Sequence, residues 1–163
     1  MFRNLGEGRF EELIEEAGDA IASTHAGRGC AFGDFDNDGD VDVVIINLNE
    51  PPSLLRNDVS GQGHWLKVLL EGVTSNRSAI GARVIAQYGG RAQAQEVTAQ
   101  SSFYSANDRR LHFGLGSAAT ADLTVRWPTG TIEKIGSVPA DHLVVIREGA
   151  GVVRREKFGK PSA

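Results

Sequence analysis

Apolar and polar residues alternate in a series of short segments between residues 64 and 149. HWLKVLLEG sets Leu66, Val68 and Leu70 on one face. GARVIAQY sets Ala82, Val84 and Ala86 against Arg83, Ile85 and Gln87, and Gly89-Gly90 supplies a hairpin turn into the next strand. RLHFGLG points Leu111, Phe113 and Leu115 inward and His112 outward. DLTVRW does the same with Leu123, Val125 and Trp127, before Pro128-Thr129-Gly130 turns the chain. HLVVIREG makes a last strand. Short alternating strands at roughly ten-residue spacing predict an antiparallel β-sandwich or barrel over residues 64–149. Residues 150–163 are basic, contain Gly and Pro, and read as a frayed tail.

The N-terminal third has a different texture. FEELIEEAGDAIA, from Phe10 to Ala22, fits a short amphipathic helix with Leu13, Ile14 and Ala17 on one face, and equally an extended segment. Its glutamates, Glu11, Glu12, Glu15 and Glu16, read as a solvated face. VDVVII is β-branched and too short for a helix, so it predicts a strand. Pro51-Pro52 breaks the chain, SLLRN makes a short edge strand, and residues 58–63 form a linker to a second domain beginning at His64. FRN at residues 2–4 returns as LRN at residues 55–57, a separation that suggests a repeating unit.

GDFDNDGDVD leads into the VDVVII strand, with the apolar Cys30, Ala31 and Phe32 on its other side. Asp34, Asp36, Asp38, Asp40 and Asp42 put five carboxylates within nine residues. Each close pair repels by roughly 1 kcal/mol even in water, so the arrangement calls for a cation. Calcium fits, because it takes six to eight oxygen ligands in a flexible shell. Asp34, Asp36 and Asp38 occupy positions 1, 3 and 5 of the loop, and Gly39 at position 6 permits a sharp reversal. Asp40 at position 7 offers its backbone carbonyl. An EF-hand would place a bidentate Glu at position 12, where this chain has Ile45, and would have helical flanks. The closing carboxylate is therefore Asp42, and the expectation is a Ca2+ loop between two β-strands.

Charge and composition narrow the function. The chain has 163 residues and a net charge of −4. Apart from the loop, 17 basic residues face 16 acidic ones, so no basic stripe attracts nucleic acid. No apolar run is long enough to span a membrane. Cys30 is a lone cysteine in an apolar context and reads as a buried structural thiol. MFRNLGEG contains no export signal.

FGDFDNDGDVD with its apolar strand resembles the FG-GAP repeat of β-propellers. That resemblance implies side-chain ligation of calcium by Asp34, Asp36, Asp38 and Asp42 and carbonyl ligation by Asp40. It also implies that residues 1–57 are a propeller-blade region, that the chain starts in mid-blade, and that upstream blades and a signal peptide are missing. HWLKVLLEGVTSNRSAIGARV, SSFYSANDRRLHFGLG, VRWPTG and VIREG are similar to the ASPIC/UnbV domain, which follows such propellers in the cartilage acidic protein family. The expected fold is therefore all-β: a partial FG-GAP-like blade, then an antiparallel sandwich or barrel. The setting implied is secreted or cell-surface.

Candidate chemistry in the second domain is sparse. Asn76, Arg77, Ser101, Ser102, Tyr104, Asn107, Asp108, Arg109 and His112 are the polar residues to consider. A Ser102–His112–Asp108 set lacks a nucleophile elbow. The bland reading has Asn107 and Asp108 holding a tight turn, with Arg109 and Arg110 snorkelling or pairing at the strand start. Trp65, Tyr104 and Trp127 offer an aromatic platform only if Trp127 leaves the core. Asn76-Arg77-Ser78 matches a glycosylation sequon. His25, His64 and His142 are too scattered for a zinc site. The expectation is a non-enzymatic, calcium-binding adhesion or binding module, with an extracellular protein or glycan as partner. A carbohydrate-binding or glycan-processing module is the alternative.

Overall fold

The computed structural model describes residues 2–13, 18–58 and 63–158, and these are almost entirely β. Strands β1 (Phe2–Gly6) and β2 (Arg9–Glu12) form an antiparallel hairpin. A single helical turn, α1 (Asp19–Ala22), follows. Of the stretch that fitted either a helix or an extended segment, residues 14–17 lie outside the described residues, and its start is the strand β2. Next comes a three-stranded antiparallel sheet in the order β3 (Gly27–Gly33), β4 (Asp42–Asn47), β5 (Ser53–Leu55). The acidic loop connects β3 to β4, as its β-branched flank predicts. Most of the proposed linker, residues 59–62, lies outside the described residues.

The remaining strands are β6 (His64–Glu71), β7 (Arg83–Tyr88), β8 (Arg91–Glu96), β9 (Leu111–Gly116), β10 (Thr120–Arg126), β11 (Ile132–Pro139), β12 (His142–Arg147) and β13 (Gly151–Lys157). They form two four-stranded sheets, ordered β11-β10-β7-β8 and β13-β12-β6-β9. Because side chains alternate across a strand, each sheet presents one apolar face. Leu66, Val68, Leu70, Leu111, Phe113 and Leu115 from one sheet pack against Ala82, Val84, Ala86, Leu123, Val125 and Trp127 of the other side in a single buried cluster. This is the inward set that the alternation predicts, arranged as a sandwich rather than a closed barrel. The open edges β8 and β9 are joined by side chains: Gln93 and Gln95 donate to the Gly114 and His112 carbonyls.

Two features differ from the sequence expectation. The sandwich is not wholly antiparallel, since β12 pairs parallel to β6 from His142↔Leu66 to Arg147↔Glu71. Alternation assigns faces and says nothing about which strand lies alongside. Residues 151–157, expected within a frayed tail, form β13 and pair with β12; the basic side chains of GVVRREK stand on an edge strand, where charge is well tolerated.

Candidate metal loop and its seat on the sandwich

Gly33 and Asp42 are register partners at the mouth of the β3–β4 hairpin, so Asp34, the first residue of the loop, and Asp42, the first residue after it, are brought close together. Asp34 Oδ1 accepts from the Asp38 amide at 3.1 Å, and Asp34 Oδ2 from the Gly39 amide at 2.8 Å. Asp42 Oδ2 accepts from the Phe35 amide at 2.9 Å, and Oδ1 from the Asn57 amide at 2.8 Å, which ties the loop to the chain beyond β5. Asp34 and Asp42 are buried. Ligand oxygens of Asp34, Asp36 and Asp42 all lie within 4.8 Å of one another, a grouping capable of holding a metal ion. Asp38 and Asp40 fall outside that group of three; Asp38 Oδ1 instead accepts from the Asp40 amide at 2.9 Å.

Asp36 carries the strain of this arrangement. Its Oδ1 is buried without a hydrogen-bond partner. Burial, reinforced by the neighbouring carboxylates of Asp38 and Asp42, raises its pKa above the ordinary aspartate value. An all-oxygen donor set with an orphaned buried carboxylate oxygen at its centre matches the needs of a hard divalent cation.

The loop does not face solvent alone. It sits on the outer face of β6 and β9. Period-2 alternation puts Trp65 and Lys67 on the side of β6 opposite Leu66 and Val68, with His112 directly across from Lys67. Lys67 is 1% exposed and forms an ion pair with Asp34, also buried. Its Nζ lies 3.3 Å from Asn37 Oδ1 and 5.2 Å from the centre of the Trp65 ring. Desolvation lowers the Lys67 pKa, and the Asp34 carboxylate pulls it back up. Arg110 donates to Asn37 Oδ1 at 2.6 Å and to the Asp34 carbonyl at 2.9 Å, with its guanidinium held by Asp108 at 2.5 Å. Gly39 has φ +101°, and a Cβ there would overlap the Trp65 indole, so both the turn and the close approach require glycine. His112, expected on an open outer face, is thus partly covered and stacked on Trp65 with ring centres 6.2 Å apart. Burial, then the Lys67 ammonium, hold its pKa below the usual histidine value.

A second contact runs along the free edge of β3. The Cys30 amide donates to Ser105 Oγ at 3.0 Å, and the Phe32 amide to Asn107 Oδ1 at 3.0 Å. The Phe32 carbonyl accepts from the Asp108 amide at 2.9 Å. Residues 105–108 of the second domain therefore satisfy backbone groups that a fourth strand would otherwise take. At Gly29 a Cβ would lie 2.8 Å from the Tyr104 carbonyl oxygen, so this edge has room only for glycine.

The other sequence candidates resolve into structural roles. Asn107 caps the β3 edge instead of holding a tight turn. Asp108 does hold the tight turn expected of it, its Oδ1 accepting from the Arg110 amide at 3.0 Å, while its Oδ2 accepts from the Arg110 guanidinium. Arg109 donates to Ser78 Oγ at 2.5 Å. Asn76, the sequon residue, exchanges hydrogen bonds with the Ile80 amide and carbonyl. Gly72 donates its amide to the Arg77 carbonyl, and Ser101 to that of Ser105. Ser102 pairs with Ser105 in an isolated bridge. The three-aromatic platform is not assembled: Trp127 is 1% exposed in the core, Trp65 lies over the loop, and Tyr104 stands on the surface beside Phe103. Cys30 is half-buried, less enclosed than its apolar neighbours suggest. His25, His64 and His142 contact Glu50, Asp141 and the Ala140 carbonyl respectively.

Sequence reasoning missed Lys67, Trp65 and Arg110 as partners of the loop. A signal existed: Lys67 is the one charged residue inside the otherwise apolar run WLKVLL, on a strand that the fold buries on both sides.

Comparison with known proteins agrees with this geometry. A family model described as ASPIC and UnbV matches residues 72–153, half of the chain, and one described as FG-GAP-like repeat matches residues 1–45, including the acidic loop. The chain belongs to the ASPIC and UnbV family. It is 28% identical over 137 residues to cartilage acidic protein 1 of Homo sapiens, covering 80% of this chain and 20% of that protein. It is 29% identical over 139 residues to cartilage acidic protein 1 of Xenopus tropicalis, covering 81% and 21%. The chain spans about a fifth of the length of the curated relatives it matches.

Proposed function

We propose that this chain is a calcium-binding, non-catalytic binding module of an exported protein, in which the metal stiffens the junction between the blade sheet and the sandwich. The observation that carries the reading is the convergence of Asp34, Asp36 and Asp42, with Asp36 Oδ1 buried and unpartnered. Asp34, Asp36 and Asp42 would hold the ion by side chain, and the resemblance to FG-GAP loops adds Asp38 and the Asp40 carbonyl. The ion would supply charge neutralisation and no reaction step. Affinities of extracellular calcium modules, about 10⁻⁴ to 10⁻³ M, suit an exported setting; the likeness to cartilage acidic protein 1 supports that setting too.

Calcium titration by calorimetry, combined with melting in calcium and in EDTA, tests this. The wild type should bind one calcium and melt higher when loaded. Asp36→Asn should weaken binding by about tenfold, which corresponds to about 1.4 kcal/mol, and shrink the melting shift. Equal melting temperatures in calcium and EDTA, with no binding heat, would contradict the reading.

A further inference from the structure

Lys67 stands at the centre of β6, 1% exposed, between the buried residues Leu66 and Val68. A buried ammonium is unfavourable unless paired, and an apolar side chain of equal length would fill the same space. Its partners all point one way. The side chain reaches out of the sandwich to the Asp34 carboxylate, with Asn37 Oδ1 at 3.3 Å and the Phe158 ring centre at 5.6 Å. Arg110 approaches the same loop, but its charge is already matched by Asp108 at 2.5 Å. Lys67 is therefore the cation whose charge is delivered to the loop, and it is delivered to the first carboxylate of the converging set.

We propose that Lys67 is a resident counter-cation of the metal loop: it shares Asp34 with calcium, holds the loop on the sandwich when calcium is scarce, and weakens calcium binding. This rests on the calcium reading above and goes beyond it by assigning the control of affinity to the other domain. Two positive charges on one carboxylate repel, so the ammonium opposes the ion. The same ammonium spares Asp34 from being a buried, unpaired charge whenever the ion leaves. The loop thus tolerates metal loss, and its affinity is set lower than its own carboxylates would give.

Lys67→Met in the full chain tests the proposal, with Lys67→Gln as a milder variant that keeps a hydrogen-bond donor. Each is titrated with calcium chloride by calorimetry and melted in EDTA and in calcium. Lys67→Met is expected to bind calcium about tenfold more tightly than wild type, to melt lower in EDTA, and to gain more from calcium. Lys67→Gln should fall between. Unchanged or weaker affinity in a folded Lys67→Met or in Lys67→Gln overturns the proposal. If Lys67→Met does not fold in EDTA, refolding on calcium addition, followed by tryptophan fluorescence, supports it; failure to refold at any calcium concentration overturns it. A wild type that takes up no calcium sinks the underlying calcium reading. Normal wild-type binding with unaltered variants sinks only the role of Lys67.

Discussion

In the sandwich, what is taken out of water is hydrocarbon: Leu66, Val68, Phe113, Leu123, Val125, Trp127 and Ile146 are all buried. In the β3–β4–β5 sheet and its loop, the buried side chains among the described residues are Asp34, Asp42 and Asn47, while Phe32, Phe35, Ile46 and Leu54 stay exposed. The two regions are both β, yet they are held by different physics. Burial of apolar area stabilises the sandwich by roughly 25 cal/mol per Å², with little dependence on salt or metal. The blade sheet has no comparable core. Its order depends on carboxylates satisfied by backbone amides and on docking against Lys67, Trp65 and the 105–108 segment, and on the proposed calcium where that is bound. The sandwich therefore acts as scaffold for the blade sheet, and ions should act on the second region far more than on the first.

The largest expected effect comes from attacking the scaffold. Phe113→Ala removes a fully buried ring and should cost about 3–5 kcal/mol, measured by urea unfolding. Because the blade sheet leans on β6 and β9, it should unfold in the same transition. A blade signal that survives after the sandwich melts would break the asymmetry between the two regions.

A smaller effect should come from the β3 edge. Ser105→Ala and Asn107→Ala each strip the acceptor from one blade amide, at about 0.5–1.5 kcal/mol apiece. Faster hydrogen exchange at the Cys30 and Phe32 amides, with the sandwich unaffected, would sharpen the comparison. Uniform acceleration across both regions would blur it.

An effect confined to acid pH belongs to the sandwich's own polar clamp. Glu148 Oε2 accepts from the amides of Val73, Thr74 and Ser75 at 2.7–2.9 Å, and Oε1 from Ser75 Oγ at 2.8 Å. Partial desolvation pushes the carboxyl pKa up, but these donors together outweigh it and bring the value down to about 2. A carboxylate whose folded pKa lies below its unfolded 4.5 stabilises the fold fully above pH 4.5 and loses that contribution as pH falls towards 2. The melting difference between wild type and Glu148→Gln should therefore be constant near neutrality and shrink between pH 4.5 and pH 2.5. A difference that grows on acidification would contradict the assignment.

Much of this was legible in the chain, for physical reasons that also explain what was not. Period 2 is a local property, so the inward faces of β6, β7, β9 and β10 could be read directly from Leu66, Val84, Phe113 and Val125. The position of the acidic loop between two strands was legible because the β-branched VDVVII follows it and Gly39 permits its sharp reversal. Neighbour relations are not local. The parallel pairing of β12 with β6, the use of Ser105 and Asn107 as a substitute strand edge, and the pairing of Asp34 with Lys67 each join residues more than 30 positions apart. His112 was placed on the correct side of its strand, but its environment depended on what the blade loop covers. GVVRREK alternates poorly, and its charges concealed an edge strand.

Hydrogen exchange of the intact chain, compared in calcium and in EDTA, tests the central claim most directly. Calcium should slow exchange of the amides at Phe35, Asp38, Gly39 and Asp40 and through β4 by at least about tenfold, while Val68, Phe113, Val125 and Val144 exchange alike in both conditions. Calcium-dependent protection spread evenly through the sandwich, or none in the loop, would contradict it.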